Sequence, residues 1–183
     1  MRWAAFVPWL AILGAALVAQ TALAPALSIW GARPDWVLII VVFFALHASQ
    51  MDAVALGWLT GLAADLLSVE RCGLLAGSYL LVAATVVSIR EYLFVRQATT
   101  QALLCFALAA ITQLLWLVYR RVMYDFPESV VGDFSSSVLL SAVYTGLFAP
   151  LIHQPLVRVL KPLGLGRPRR LDPIRYPTGQ EAS

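Results

Sequence analysis

Six apolar segments separated by short polar connections occupy most of this 183-residue chain. They lie at about residues 3–24, 36–48, 53–67, 74–89, 101–118 and 135–157. The chain is 61% hydrophobic and 13% charged, whereas a soluble domain is typically about 45–50% apolar and about 25% charged. A helix needs about 20 apolar residues to cross a bilayer. The sequence therefore predicts an all-α integral membrane protein with about six transmembrane helices and almost no soluble domain.

The predicted membrane domain covers residues 1–160, and residues 161–183 form a Pro- and Arg-rich tail without apolar periodicity. We expect this tail to be a basic, partly flexible segment. The tripeptide Ala22-Leu23-Ala24 is similar to a signal-peptidase site. However, the preceding apolar run is longer than that of a usual signal, and Pro25 would directly follow the cut. A retained first helix is therefore the favoured interpretation, and a cleaved signal stays open as the alternative.

The distribution of basic residues predicts the orientation, since cytoplasmic connections carry an excess of Lys and Arg. With six spans, one side of the membrane collects Arg2, Arg90, Arg96, Arg158, Lys161, Arg167, Arg169, Arg170 and Arg175. The other side collects Arg33, Arg71, Arg120 and Arg121. This asymmetry places both termini in the cytoplasm. The basic tail is expected to be attracted to anionic membrane lipid, and nothing in this pattern indicates nucleic-acid binding.

Two carboxylates mark the hairpin formed by the second and third segments. Asp35 follows Pro34 at the start of the second segment, and Asp65 lies near the end of the third, just before Ser68. Because a transmembrane chain reverses direction at each turn, both acids should lie at the same, outward face. We therefore predict a polar patch of Pro34, Asp35, Asp65 and Ser68 that either binds a partner or serves the fold. In the structural alternative, the helix dipole favours an acid at the position of Asp35, and Asp65 caps or hydrogen-bonds the following loop or pairs with Arg33 or Arg71.

The same two segments are short. The second has about 13 residues, which as a helix would extend about 20 Å against a hydrocarbon core of about 30 Å. Such short helices are expected to be shielded by neighbouring helices or to thin the bilayer locally. Gly57 and Gly61 form a GxxxG pair, which permits close helix packing. Packing against another helix of this chain is favoured over packing against a partner.

No arrangement of residues predicts catalysis. His47 and His153 are expected near the cytoplasmic ends of their segments, whereas Asp35 and Asp65 are expected at the outer face, so they cannot share a proton. The spacing of His and Cys residues matches no metal-ligand pattern, and there is no Gly-rich phosphate loop. The sequence therefore predicts no catalytic residue, no metal site, no cofactor and no enzyme activity.

The hairpin resembles a known family. The runs P-D-W-V-L-I-I-V-V-F-F-A-L, G-W-L-T-G-L-A-A-D-L-L-S and G-L-L-A-G-S-Y-L-L-V, within residues 34–82, resemble the MreD family of bacterial rod-shape-determining membrane proteins. This resemblance implies a non-enzymatic scaffold subunit of the cell-wall elongation machinery in the bacterial inner membrane. It also implies an MreC-like bitopic protein as the partner and, indirectly, MreB, a RodA-type glycosyltransferase and a class B penicillin-binding transpeptidase.

The resemblance leaves one rival function open. The MreD fold is similar to the substrate-binding subunits of energy-coupling-factor transporters. The alternative is therefore a solute-binding subunit of a vitamin-type transporter, in which Gln20, Gln113 and Ser141 would contribute to an outward pocket. Single polar residues in membranes more often form hydrogen bonds to neighbouring helices.

Overall fold

The computed structural model describes residues 3–68, 73–92, 97–124 and 128–160. The chain folds into α1 (Trp3–Val18), a π-helical turn (Ala19–Leu23), α2 (Ala24–Ala26), α3 (Trp36–His47), α4 (Gln50–Leu67), α5 (Leu74–Ile89), α6 (Ala98–Tyr124) and α7 (Glu128–Leu160). Within these residues there is no β-strand, and the only bridge joins Ile29 to Ala32. The predicted all-α fold is confirmed, and α5 has the bounds predicted from the sequence.

Helix α3 lies at the centre of the bundle. Every residue from Val37 to Leu46 is buried, because α1, α4, α5, α6 and α7 all pack against it. A helix that is apolar on all sides is typical of such an interior position. At 12 residues, α3 is about 18 Å long. Shielding by neighbours, one of the two explanations that the sequence left open, therefore accounts for its short length.

Fewer helices than expected are long enough to span a bilayer. In the described parts of the chain, three segments combine sufficient length and hydropathy: Trp9–Ala26, Thr99–Tyr119 and Ser137–Arg158. Helices α3 and α5 are apolar but shorter. Helix α4 has 18 residues but includes Asp52 and Asp65 among its apolar ones. The six predicted spans thus correspond to three long apolar helices and three helices that are shorter or carry acidic residues. Of these, α3 is enclosed by its neighbours and need not match the bilayer thickness.

Close contacts at glycine join the helices into pairs. Helix α4 packs along α5, and α6 packs along α7. A Cβ atom added to Gly57 would lie 2.7 Å from the Cβ of Ala83, and one added to Gly61 would overlap the backbone of Ala76. Gly146 approaches α6 in the same way. Since lipid provides no hydrophobic drive between helices, such close packing stabilises the pairs. The surface of the GxxxG pair is therefore covered by α5 of the same chain.

Several element boundaries differ from the sequence-based expectation. The fifth and sixth segments are predicted at residues 101–118 and 135–157, but α6 extends to Tyr124 and α7 is already helical from Glu128. Helix α4 begins at Gln50, earlier than predicted, because Ser49 Oγ accepts a hydrogen bond of 3.3 Å from the N–H of Asp52. Helix α7 continues through Pro150 and Pro155. The predicted basic tail, residues 161–183, lies outside the described residues.

Candidate functional site

The N-terminal end of α3 is built around Asp35. Its Oδ1 accepts a hydrogen bond of 2.9 Å from the N–H of Leu38 and so caps the helix. The hydroxyl of Tyr79 on α5 donates to both carboxylate oxygens, at 3.2 and 3.3 Å. The N–H of Asp35 itself donates to Oγ1 of Thr145 on α7, at 3.0 Å. One residue therefore closes the first turn of α3 and connects α3 to two other helices.

The neighbouring backbone groups also find side-chain acceptors. The N–H of Arg33 donates to Ser141 Oγ at 3.0 Å, and the N–H of Trp36 donates to Gln20 Oε1 at 2.9 Å. The first N–H groups of a helix have no partner within it, and away from a water-filled cavity the protein itself has to supply one. Gln20 and Ser141 thus provide the hydrogen bonds between helices that were expected as the alternative to solute binding.

Asp65 caps a second helix. It is 1% exposed, and its carboxylate accepts hydrogen bonds from the N–H groups of Gly73 at 2.8 Å, Leu75 at 3.1 Å and Ala76 at 3.0 Å. Three backbone N–H groups at the start of α5, which have no partner within the helix, obtain a hydrogen-bond acceptor in this way. The hydroxyl of Ser68 donates to the carbonyl of Asp65 at 2.9 Å and completes the end of α4.

The predicted polar patch therefore lies largely inside the molecule. Asp65 binds the first turn of α5, and Asp35 binds Tyr79 slightly further along the same helix. This places both carboxylates at one end of the bundle. Pro34 is fully buried and Ser68 is half-buried. Their contacts hold helix ends together, and a partner-binding role of this patch stays a prediction.

A cavity of about 600 Å³ adjoins this end of α3. Residues from α1, the π-helical turn and α3 to α7 line it, among them Gln20, Arg33, Asp35, Tyr79 and Gln113. Pockets for small ligands usually measure about 300–1,000 Å³. The cavity thus has the size of a ligand site and combines both signs of charge with neutral polar groups.

The C-terminal end of α3 is held by Arg90. This side chain is 6% exposed, and its Nη1 donates to the carbonyls of Ala45 at 2.8 Å and Ala48 at 2.7 Å. A cation at a helix C-terminus is also favoured by the helix dipole. The charge pattern of the sequence predicts Arg90 in a cytoplasmic connection and does not indicate this role at the end of α3. The available signal was the length of α3, since a short enclosed helix needs donors for its last carbonyls.

His153 connects α7 to the middle of α3. It is 1% exposed, and its Nε2 lies 3.1 Å from the carbonyl of Ile39. Because Asp35 pairs with Thr145 and Ile39 with His153, α3 and α7 run in the same direction. This agrees with the predicted second and sixth segments crossing in the same sense. Among the described residues, no group of three or more His, Cys, Asp or Glu residues could hold a metal ion.

These features define a small helical membrane protein whose interior charges are bound to helix ends. A family model described as rod shape-determining protein MreD matches residues 2–159 of the chain. The chain therefore belongs to the MreD family, and the resemblance seen at residues 34–82 extends over almost all of the predicted membrane domain. No curated protein and no solved structure gives a significant match. The family acts in rod-shape determination and is not a known enzyme family.

Proposed function

We propose that this protein is a non-enzymatic scaffold subunit of the cell-wall elongation machinery. It would bind an MreC-like bitopic membrane protein and, through it, act with MreB, a RodA-type glycosyltransferase and a class B penicillin-binding transpeptidase. The observation that carries the proposal is the family match over residues 2–159. Because almost the whole helical bundle belongs to the match, the bundle itself is the part that would serve shape determination.

The contacts of the interior charges support a scaffold role. Asp35, Asp65 and Arg90 are all hydrogen-bonded to backbone groups at helix ends. These bonds fix the position of α3 and α5, and thereby the shape of the outer surfaces. In this proposal the patch of Pro34, Asp35, Asp65 and Ser68 contributes by holding the helices that carry the partner-binding surface.

The proposal includes a location in the bacterial inner membrane, with several crossings and both termini in the cytoplasm. Its support is the charge asymmetry of the sequence and the three long apolar helices. The parallel course of α3 and α7 is compatible with it. The transporter alternative receives no support from the comparisons. Gln20 and Ser141, which it requires as solute contacts, already accept backbone hydrogen bonds.

Co-purification tests the proposal. The tagged full-length chain is extracted from its native membrane in a gentle detergent, and the proteins bound to it are identified by mass spectrometry. We expect an MreC-like bitopic protein together with RodA-type or transpeptidase components. Asp65→Ala serves as the control, because loss of three buried hydrogen bonds should loosen the start of α5. A specific partner should be depleted from this variant at equal amounts of tagged chain.

Two results would contradict the proposal. One is a folded wild-type chain that recovers none of these partners. The other is recovery of paired ATPases with a coupling membrane subunit, which would assign the bundle to transport.

A further inference from the structure

The cavity at the N-terminal end of α3 has two opposite charges on one wall. Arg33 and Asp35 both line it, and they are separated by the fully buried Pro34. Residues 33–35 are outside any helix. In such an extended segment, alternate side chains point to the same side, and their Cα atoms are about 7 Å apart. The wall thus presents a cation and an anion at a fixed spacing.

Hydrogen bonds hold this wall in place. The N–H of Arg33 is bound to Ser141 and the N–H of Asp35 to Thr145, both at 3.0 Å and both on α7. Since Ser141 and Thr145 are one helical turn apart, the segment is fixed to α7 at two points. A ligand that binds here would meet a preorganised surface, which reduces the entropic cost of binding.

The Asp35 carboxylate retains capacity for a cationic donor. It accepts hydrogen bonds from the N–H of Leu38 and the hydroxyl of Tyr79, whereas two carboxylate oxygens offer about four acceptor positions. The backbone of Val37 also acts on this carboxylate, so the donors around it in the described residues are uncharged backbone and hydroxyl groups. An ammonium group in the cavity would supply the missing charge.

Arg33 suits an anion at the other position. Its side chain is exposed, and a guanidinium presents a planar set of donors that matches phosphate geometry. The remaining lining contains apolar side chains from α1 and from α3 to α7, including Leu17, Leu67, Leu75 and Val138. The cavity therefore fits a molecule with an ammonium group, an anionic group a few ångströms away, and an apolar portion.

We propose that this cavity binds the headgroup of an aminophospholipid, with its ammonium at Asp35 and its phosphate at Arg33. The glycerol and the start of the acyl chains lie along the apolar lining. A membrane presents such lipids at high local concentration, which favours them over a soluble zwitterion of the same chemistry. This site goes beyond the scaffold function and does not depend on the identity of the protein partners.

Native mass spectrometry of the detergent-purified full-length protein tests the site. The protein is titrated with phosphatidylethanolamine, phosphatidylcholine or phosphatidylglycerol of identical acyl chains, and with soluble glycerophosphoethanolamine. We expect one phosphatidylethanolamine to bind at least about tenfold more tightly than phosphatidylglycerol, as expected from one additional charge-assisted hydrogen bond. Phosphatidylcholine should bind more weakly than phosphatidylethanolamine, because its quaternary ammonium has no hydrogen-bond donor.

Two variants separate the two charges. Asp35→Asn should weaken phosphatidylethanolamine binding about tenfold and leave phosphatidylglycerol binding unchanged. Asparagine is also a favoured N-cap residue, so α3 should stay folded, which circular dichroism and a thermal melt would verify. Arg33→Gln should weaken the binding of both lipids. Asp52→Asn and Arg158→Gln change a carboxylate and a guanidinium outside the cavity and serve as matched controls.

The outcomes are distinct. Equal affinity for phosphatidylethanolamine and phosphatidylglycerol in the wild type would overturn the proposal. The same holds for a folded Asp35→Asn variant with undiminished phosphatidylethanolamine binding. If glycerophosphoethanolamine bound as tightly as the lipid, the lipid assignment would be overturned in favour of a soluble zwitterion. Recovery of protein partners is measured separately, so failure of this site leaves the scaffold proposal standing.

Discussion

The backbone groups at the two ends of α3 both need hydrogen-bond partners, and the two ends obtain them in different ways. Both ends lie inside the bundle, where backbone groups must be paired within the protein. At the N-terminal end, backbone N–H groups donate to the Asp35 carboxylate, to the Thr145 hydroxyl and to the Gln20 side-chain amide oxygen. This end adjoins a cavity of about 600 Å³. The C-terminal end uses the buried guanidinium of Arg90 on two carbonyls. Each charge has the sign that the helix dipole favours at its end.

The difference concerns what can replace a lost hydrogen bond. At the cavity, water or a ligand can reach the groups around Asp35. Arg90 is 6% exposed and does not line that cavity, so its carbonyl partners have no comparable substitute. We therefore expect substitutions of buried capping residues to cost more stability than substitutions of residues at the cavity. The following predictions are ordered by the size of the expected effect.

Asp65→Ala should have the largest effect, although Asp65 lies at the same end of the bundle as the cavity. It is 1% exposed and accepts three backbone hydrogen bonds. Loss of these bonds should lower the free energy of unfolding by about 4 kcal/mol, since hydrogen bonds to a charged group contribute about 1.5–3 kcal/mol each and are not additive. Unfolding in detergent micelles, followed by circular dichroism, measures this value. A loss below about 1 kcal/mol would mean that burial does not decide the cost.

Arg90→Met should lower the free energy of unfolding by about 3 kcal/mol, because two carbonyls near the end of α3 lose their hydrogen-bond donor. Arg90→Lys keeps the charge and should cost less. The same unfolding titration compares the two variants. If methionine were tolerated as well as arginine, the guanidinium would have no capping role.

Asp35→Ala should cost only about 1 kcal/mol, the usual effect of removing an N-cap side chain. Asp35→Asn should lower the free energy of unfolding by only a few tenths of a kcal/mol, because asparagine also caps helices. The unfolding titration of both variants is compared with that of Arg90→Met. If Asp35→Ala were the more destabilising of the two, water in the cavity would not substitute for the carboxylate.

Thr145→Val should have a smaller effect than Asp35→Ala, about 0.6 kcal/mol, a typical value for a hydrogen bond between helices in a membrane protein. The change removes the acceptor for the N–H of Asp35 and keeps the shape of the side chain. Hydrogen exchange of the Asp35 amide provides a local measurement. Faster exchange of this amide is expected with only this small loss of global stability, and unchanged exchange would show that the bond does not fix the start of α3.

Local sequence patterns predicted part of this arrangement. The bounds of α5, the position of Asp35 at the start of α3 and the spacing of Gly57 and Gly61 all follow from residues near one another in the chain. Arg90 acts on carbonyls 42 and 45 positions earlier, and Thr145 acts 110 positions from Asp35. Such contacts depend on how deeply each helix lies in the bundle, which hydropathy alone does not specify.

The span count shows the same limit. Hydropathy identifies an apolar helix at Trp36–His47, but it cannot distinguish a helix enclosed by protein from one that faces lipid. The uniform apolar surface of α3 and its length of 12 residues were the available signals. They indicate an interior helix only when length and surface are considered together.

The central claim is that the buried charges serve the fold of a scaffold and take no part in catalysis. The most direct test is the yield of the MreC-like protein co-purified with the wild type, Asp35→Asn, Arg90→Met and Asp65→Ala, each normalised to the folded fraction. The account predicts equal normalised yields for all four, with total yields falling as the folded fraction falls. A normalised yield that falls for Asp35→Asn, Arg90→Met or Asp65→Ala would contradict it, because the charge would then act in partner binding itself.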